Sequence, residues 1–369
     1  MFIHLNLCIL VWAERRILML PVIDHILEYF SQDLGVDLGT VNTLIFVRGK
    51  GIVIREPSIV AWHKKTKKVV AIGTEAKKML GRTPGSIETI RPLKSGMISD
   101  YDVTLAMLSF FVKKIHQKPG TRFSIPRPRM VIGIPTQASE VERKALLDVA
   151  YAVGSRRTFL IEEPLAAAIG AGLPIDEPVG SMIVDIGGGT SEIAVISLGG
   201  IVVGKSLKIA GDAMDKDIVN YVRIRYGLAL GEKTAEEIKI ALGSAYQMDT
   251  EKEMIVRGRD LEKGLPKSIK LTSPQVREAL STTFNTIVEA VKDTIEDAPP
   301  ELVADIAERG IVLCGGGALI YGLAKLISAE TKMAVSIAQG PLSCVVNGCS
   351  VLLTNHGLLN KVRISSSYS

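Results

Sequence analysis

Apolar residues in this chain come in short runs that stop at an aspartate and a cluster of glycines. Met182-Ile183-Val184-Asp185-Ile186 meets Gly187-Gly188-Gly189-Thr190-Ser191 and resumes as Ile193-Ala194-Val195-Ile196. A run of that length bounded by glycines predicts strand, tight turn, strand. The plan occurs earlier as Leu34-Gly35-Val36-Asp37-Leu38, then Gly39-Thr40-Val41-Asn42, then Leu44-Ile45-Phe46-Val47. The two aspartates lie 148 positions apart, about one domain length. A third run, Ile311-Val312-Leu313, enters Cys314-Gly315-Gly316-Gly317-Ala318. The economical expectation is two duplicated halves facing one ligand.

Between these turns the hydrophobic period alternates between 2 and 3.6. Strands are predicted at 44–47, 51–54, 58–61, 69–72, 129–134 and 159–161, then 201–207, 311–313 and 335–337. Helices are predicted at 74–80, 101–115, 139–153 and from 165, then 212–226, 234–242, 274–295 and 319–329. Ser139 with Glu142 three residues on is a capping box for one of them. Residues 249–273 look like the strands and turns of a small insertion. Strand clusters followed by helices, twice over, place the chain in the α/β class with two domains. The expected division is 34–169 together with 343–369 as the first domain, with an insertion at about 60–96. The second domain is 170–342, with an insertion at about 209–271. Residues 1–33 form an N-terminal extension.

At 369 residues there is chain enough for two cores of this kind. The four cysteines, Cys8, Cys314, Cys344 and Cys349, form no CxxC pair, and the five histidines form no HExxH. Reduced, buried thiols of a cytosolic protein are expected rather than a disulfide framework or zinc site. The net charge of +5 hides an asymmetry: residues 48–94 carry twelve Lys/Arg and three Glu, a local +9, which leaves −4 for the rest. A solvated surface is the plainest reading of that patch; acidic lipid, nucleic acid or an acidic partner are the others. Trp62 is the single Phe, Tyr or Trp within it, too few for the stacking platform of a single-strand binder, so nucleic acid is not an expected partner.

Glycine turns let backbone N–H groups approach a phosphate closely, and a carboxylate where the strand ends suits Mg²⁺, held directly or through water. Asp37 and Asp185 are the candidate metal-side residues. Any one such turn is equally an ordinary glycine hairpin; their repetition points to a phosphate-bearing ligand. Residues 227–234 echo a P-loop, but the spacing is one short and Glu232 separates Gly231 from Lys233, so that motif is rejected.

The two phosphate turns and the Gly315-Gly316-Gly317 turn resemble those of the actin–chaperone–sugar kinase ATPase superfamily. Within it the chain resembles the bacterial actin homologues of the MreB family. Residues 36–43, 51–57, 161–170 and 185–197 carry the likeness, with Ala210-Gly211-Asp212, Pro299-Pro300-Glu301-Leu302 and Glu308-Arg309-Gly310. It extends from about Asp33 to the C-terminus. Val41, Ser191 and Cys314 stand where Ala, Thr and Thr are more usual, and residues 1–32 exceed the family's usual N-terminus. Met19 offers a second start, which would leave residues 1–18 outside the translated chain. The resemblance implies an actin-like fold, two RNase-H-like domains around a cleft holding Mg-ATP, each with a smaller inserted subdomain. It implies that Thr40, Val41, Asn42, Gly187, Gly188 and Gly189 meet the phosphates. It sets adenosine against Gly315, Gly316, Gly317 and Ala318 and the helix segment Ala235, Glu236, Glu237, Ile238 and Lys239. Glu163, before Pro164, would orient the attacking water with help from Thr190; Glu162 is the rival.

The resemblance further implies ATP hydrolysis coupled to assembly. Filaments, as paired protofilaments, would lie on the inner face of the cytoplasmic membrane with proteins of cell-wall synthesis and membrane morphogenesis, organising cell shape or division. Two stretches suit that surface. Phe123 and Ile125 sit among Lys118, Arg122, Arg127 and Arg129, apolar tips ringed by cations, where the family has a membrane-contact loop. Ile23, Ile26, Leu27 and Phe30 recur at helical spacing on a short amphipathic segment. A chaperone-type ATPase would need an appended substrate domain after Gly317, and a sugar kinase a second substrate pocket. A plasmid-partition filament is the remaining alternative.

Overall fold

The computed structural model describes residues 31–117 and 127–364. The membrane candidates Ile23, Ile26, Leu27, Phe30, Phe123 and Ile125 lie outside the described residues.

Two five-stranded sheets carry the fold, and they have the same plan. In the first, Leu34–Leu38 pairs antiparallel with Asn42–Val47, which pairs with Gly51–Pro57. On its other side it runs parallel to Arg129–Ile134, which runs parallel to Arg157–Glu162. In the second, Ser181–Ile186 pairs antiparallel with Ser191–Ser197, and that with Gly200–Leu207. On its other side come Ile311–Cys314 and Val335–Ile337, both parallel. Asp37 and Asp185 therefore sit at equivalent places, opposite Leu44 and Glu192 respectively.

Strand alternation decides what each residue packs against. Met182, Val184, Ile186, Ile193 and Val195 enter one core with the helices Gly211–Tyr226 and Ser273–Glu296. Ile183, Ala194 and Ile196, one residue out of step, enter another. That second core joins the two halves. It is built on Glu163–Gly170 crossing Cys344–Thr354, with Val131 and Ile161 supplied by the first sheet. The crossing is close enough to require glycine on both helices: a Cβ at Gly348 would fall on the Ala166 carbonyl, and one at Gly170 on that of Cys344. Leu34, Val36, Ile45 and Val47 fill the first half's own core with the helix Tyr101–His116.

Smaller sheets extend from each half: Val60–His63 between Val69–Ile72 and Ile87–Ile90, and Glu253–Asp260 between Leu228–Ala229 and Pro266–Thr272. The helix Thr74–Met79 accompanies the first and Glu232–Leu242 the second. The helix expected at 319–329 is instead two pieces, a 3₁₀ turn Gly317–Leu319 and the helix Leu323–Thr331. Gly322, at φ 74°, breaks the run. The strand Ile87–Ile90, the hairpin Leu93–Lys94/Met97–Ile98 and the helix Pro300–Arg309 were not anticipated.

Candidate functional site

The two Asp-containing turns meet face to face. A Cβ built on Gly188 would collide with the Val41 side chain, and one on Gly189 with Thr40 and the Ser95 backbone. Thr40 Oγ1 also accepts from the Gly96 N–H at 2.8 Å. The second turn is anchored from below: Gly187 N–H donates to Thr190 O, while the Gly187 and Gly188 carbonyls accept from Gly211 and Asp212. The third turn closes the ring. Gly315 adopts φ +78° and its N–H donates to Pro341 O at 2.9 Å.

These turns enclose a cavity of about 600 Å³, a size typical of small-molecule sites. Asp37, Thr40, Val41, Asn42, Glu163, Asp185, the three glycines 187–189, Thr190 and Gly315 to Gly317 all line it. So do Glu236 and Lys239. Other expected residues point elsewhere. Ala235 and Ile238 are fully buried in the core, on the same helix stripe as Leu242, and Glu237 faces solvent beside Lys233. Ala318 is also buried in that core, behind the glycine turn. A helix shows the cavity one stripe, so five consecutive residues cannot all face it.

Glu163 opens the helix Glu163–Gly170, is 8% exposed and reaches the cavity. Glu162 is the N-cap residue of the same helix and lies in the field of Arg143. A carboxylate that the pattern did not single out, Glu192, joins Glu163 on the wall; it is 1% exposed. Its Oε1 accepts from Ser206 and its Oε2 from the Thr136 N–H at 3.3 Å. A charge interrupting the apolar run before Ile193 was the available signal.

Four acids thus share one buried space. Burial, then Asp185, pushes Asp37 up to about 7. Burial, then Glu192, pushes Asp185 up to about 7, against a hydrogen bond from Cys314. Burial, with Glu192, Asp37 and Asp185 beside it, raises Glu163 well above the usual carboxylate range. Asp37 keeps an open edge on the cavity, whereas Asp185 is only 9% exposed. Adjacent carboxylates that repel one another at neutral pH are the donor set a hard divalent cation neutralises. The residues present fit Mg²⁺ at Asp37 and Asp185.

The family model described as MreB/Mbl protein matches residues 31–361. The chain belongs to the MreB/Mbl family. The cell shape-determining protein MreB of Escherichia coli (strain K12) is 51% identical over 323 residues, covering 86% of this chain and 92% of that protein. The cell shape-determining protein Mbl of Bacillus subtilis (strain 168) is 48% identical over 336 residues, covering 91% and 100%. MreB5 of Spiroplasma citri, in a crystal structure bound to AMPPNP, superposes with a TM-score of 0.83 at 38% identity, over 88% of this chain and 96% of that one. A MamK double helical filament structure superposes at 0.74 with 23% identity, which shows the actin-like fold alone. Within the MreB/Mbl family, the Spiroplasma citri protein thus shares the fold described above over that length.

Proposed function

We propose that this chain binds ATP with Mg²⁺ between its two halves, hydrolyses it, and assembles into actin-like filaments that organise cell-wall synthesis and cell shape. The observation that carries the reading is the abutment of two duplicated glycine turns over a cavity that also holds Asp37, Asp185 and Glu163. AMPPNP and ADP in the structures of Spiroplasma citri MreB5 support it. The two halves divide near residues 169 and 342, each with its insertion.

In this reading the turns at 40–42 and 187–189 hold the phosphates through N–H groups other than that of Gly187, which is bonded to Thr190 O. Asp37 and Asp185 hold the Mg²⁺, which offsets the phosphate charge. Gly315 to Gly317, Glu236 and Lys239 face the nucleoside. A cation bound by Asp37 and Asp185 would neutralise two of the three charges that raise Glu163. Glu163 would then accept a hydrogen bond from the attacking water, with Thr190, also on the cavity wall, steadying it. Filaments repeat any weak membrane contact many times, so Phe123 and Ile125, with the segment carrying Ile23, Ile26, Leu27 and Phe30, suffice for attachment to the inner face of the membrane.

Sedimentation and electron microscopy with Mg-ATP, with and without anionic liposomes, test this. Filaments that need nucleotide and bind liposomes are expected. Phe123→Ser with Ile125→Ser, in a chain lacking residues 1–31, should stay off the liposomes while still binding nucleotide. Protein that neither binds Mg-ATP nor forms filaments would overturn the reading, and full liposome pelleting by that variant would overturn its membrane part.

A further inference from the structure

The basic stretch 48–94 has a partner that the sequence does not reveal. Lys77, on the short helix of the first insertion, places Nζ 2.9 Å from Glu236 Oε1 and 2.8 Å from Oε2, across 159 residues of chain. Glu236 belongs to the helix Glu232–Leu242 of the second insertion and lines the cavity. Arg91, also from the first insertion, sets Nη2 3.9 Å from Glu232 Oε2 on the first turn of that helix. The Arg91 charge also bears on Asp212, whose N–H is bonded to the Gly188 carbonyl in the second phosphate turn. Lys77 and Arg91 stand outside the cavity lining; what they hold is part of the wall or tied to it.

The two halves are therefore joined in two physically different ways. On one side of the cavity, Cys344 and Val345 belong to the apolar core that contains the Glu163–Gly170 and Cys344–Thr354 crossing. Elsewhere, beside Glu236 of the cavity wall, the insertions meet through partly exposed charges, with side-chain exposure of 28% and 22% for Lys77 and Glu236. An apolar core opens only by exposing its surface to water, while a partly hydrated ion pair opens at little cost and is screened by salt. The first is suited to a hinge, the second to a catch.

We propose that Lys77–Glu236, seconded by Arg91–Glu232, is an electrostatic latch across the mouth of the cavity that sets the release rate of the bound nucleotide. The proposal rests on the nucleotide reading above. Because Glu236 is held by Lys77 at both carboxylate oxygens, Lys77 acts as a positioning residue for a side chain of the site without touching the ligand.

Two measurements on the full chain test it. Carbodiimide activation joins a lysine amine to a carboxylate with loss of water only where the two are in contact. Treatment of the nucleotide-free protein should give a Lys77–Glu236 cross-linked peptide, identified by mass spectrometry. Stopped-flow release of N-methylanthraniloyl-ADP in Mg²⁺ should be about fivefold faster for Lys77→Met, which is about 1 kcal/mol at 1.4 kcal/mol per tenfold. Lys77→Arg, which keeps the charge, should stay near the parent rate. Raising the salt from about 0.1 M to about 1 M shortens the screening length from about 10 Å to about 3 Å; it should speed release from the parent more than from Lys77→Met, which keeps only Arg91–Glu232. Absence of the cross-linked peptide, or equal release rates for parent and Lys77→Met, overturns the latch while leaving the nucleotide reading intact. A parent protein that binds no N-methylanthraniloyl-ADP overturns the nucleotide reading and the latch's role with it.

Discussion

Replacing Asp185 by Asn separates what the cavity does for binding from what it does for stability. In the folded protein burial and Glu192 raise the Asp185 carboxyl from 3.8 to about 7. Below about pH 3.8 it is neutral folded or unfolded, and pH has no leverage. Between there and about 7 the unfolded chain gives up the proton and the folded one keeps it, so the folded state binds more protons and stability falls as pH rises. Above 7 both states are ionised and the loss is constant. At about 1.36 kcal/mol per pH unit the interval is worth about 4 kcal/mol. Glu192 and Asp37 compete in the same field, so removal of one charge should recover about 2 kcal/mol of that. Asp185→Asn, unfolded in urea with chelator present, should match the parent near about pH 3.5 and exceed it by about 2 kcal/mol at pH 8. The slope of free energy against urea should stay unchanged. The same variant should lose Mg²⁺-dependent ATP affinity by calorimetry. A variant as stable as, or less stable than, the parent at pH 8 would refute the argument that these carboxylates are held together at a cost.

Three further outcomes are expected. Glu163→Gln should bind ATP much as the parent does and release phosphate at least about 100-fold more slowly; parent-like phosphate release would remove Glu163 from the reaction. Gly348→Ala should lower stability by about 2 kcal/mol or more in thermal unfolding, because its Cβ must displace the Ala166 backbone; an unchanged melting temperature would show that the helix crossing has room. Asp33→Ala takes from the buried Arg129 and Arg156 a carboxylate 2.7 and 3.2 Å away and should cost about 3–5 kcal/mol. Changing Arg48, 49% exposed at 3.6 Å from the same carboxylate, should cost less than about 1 kcal/mol; equal urea midpoints for the two variants would contradict this.

The residues by themselves determined the strands that carry Asp37, Asp185 and Cys314 at or next to their ends, and the glycine turns that follow. Local constraints suffice there: an apolar run this short and bounded by glycines favours a strand over a helix, and a glycine cluster can turn where other residues cannot. The Ser139 capping box and the helices at 101–116 and 211–226 were legible on the same grounds. Which face of a legible helix meets the cavity was not. Ala235, Ile238, Glu236 and Lys239 lie within one turn and a half, and only the packing of that helix turned the first two into the core and the last two onto the wall. Glu192 became part of the site because strand pairing set it opposite Asp185. Lys77 met Glu236 because packing brings residues 159 positions apart into contact. Sequence pattern records each residue's preference for burial and backbone conformation; contacts between distant segments depend on how whole sheets and helices pack, which no local window contains.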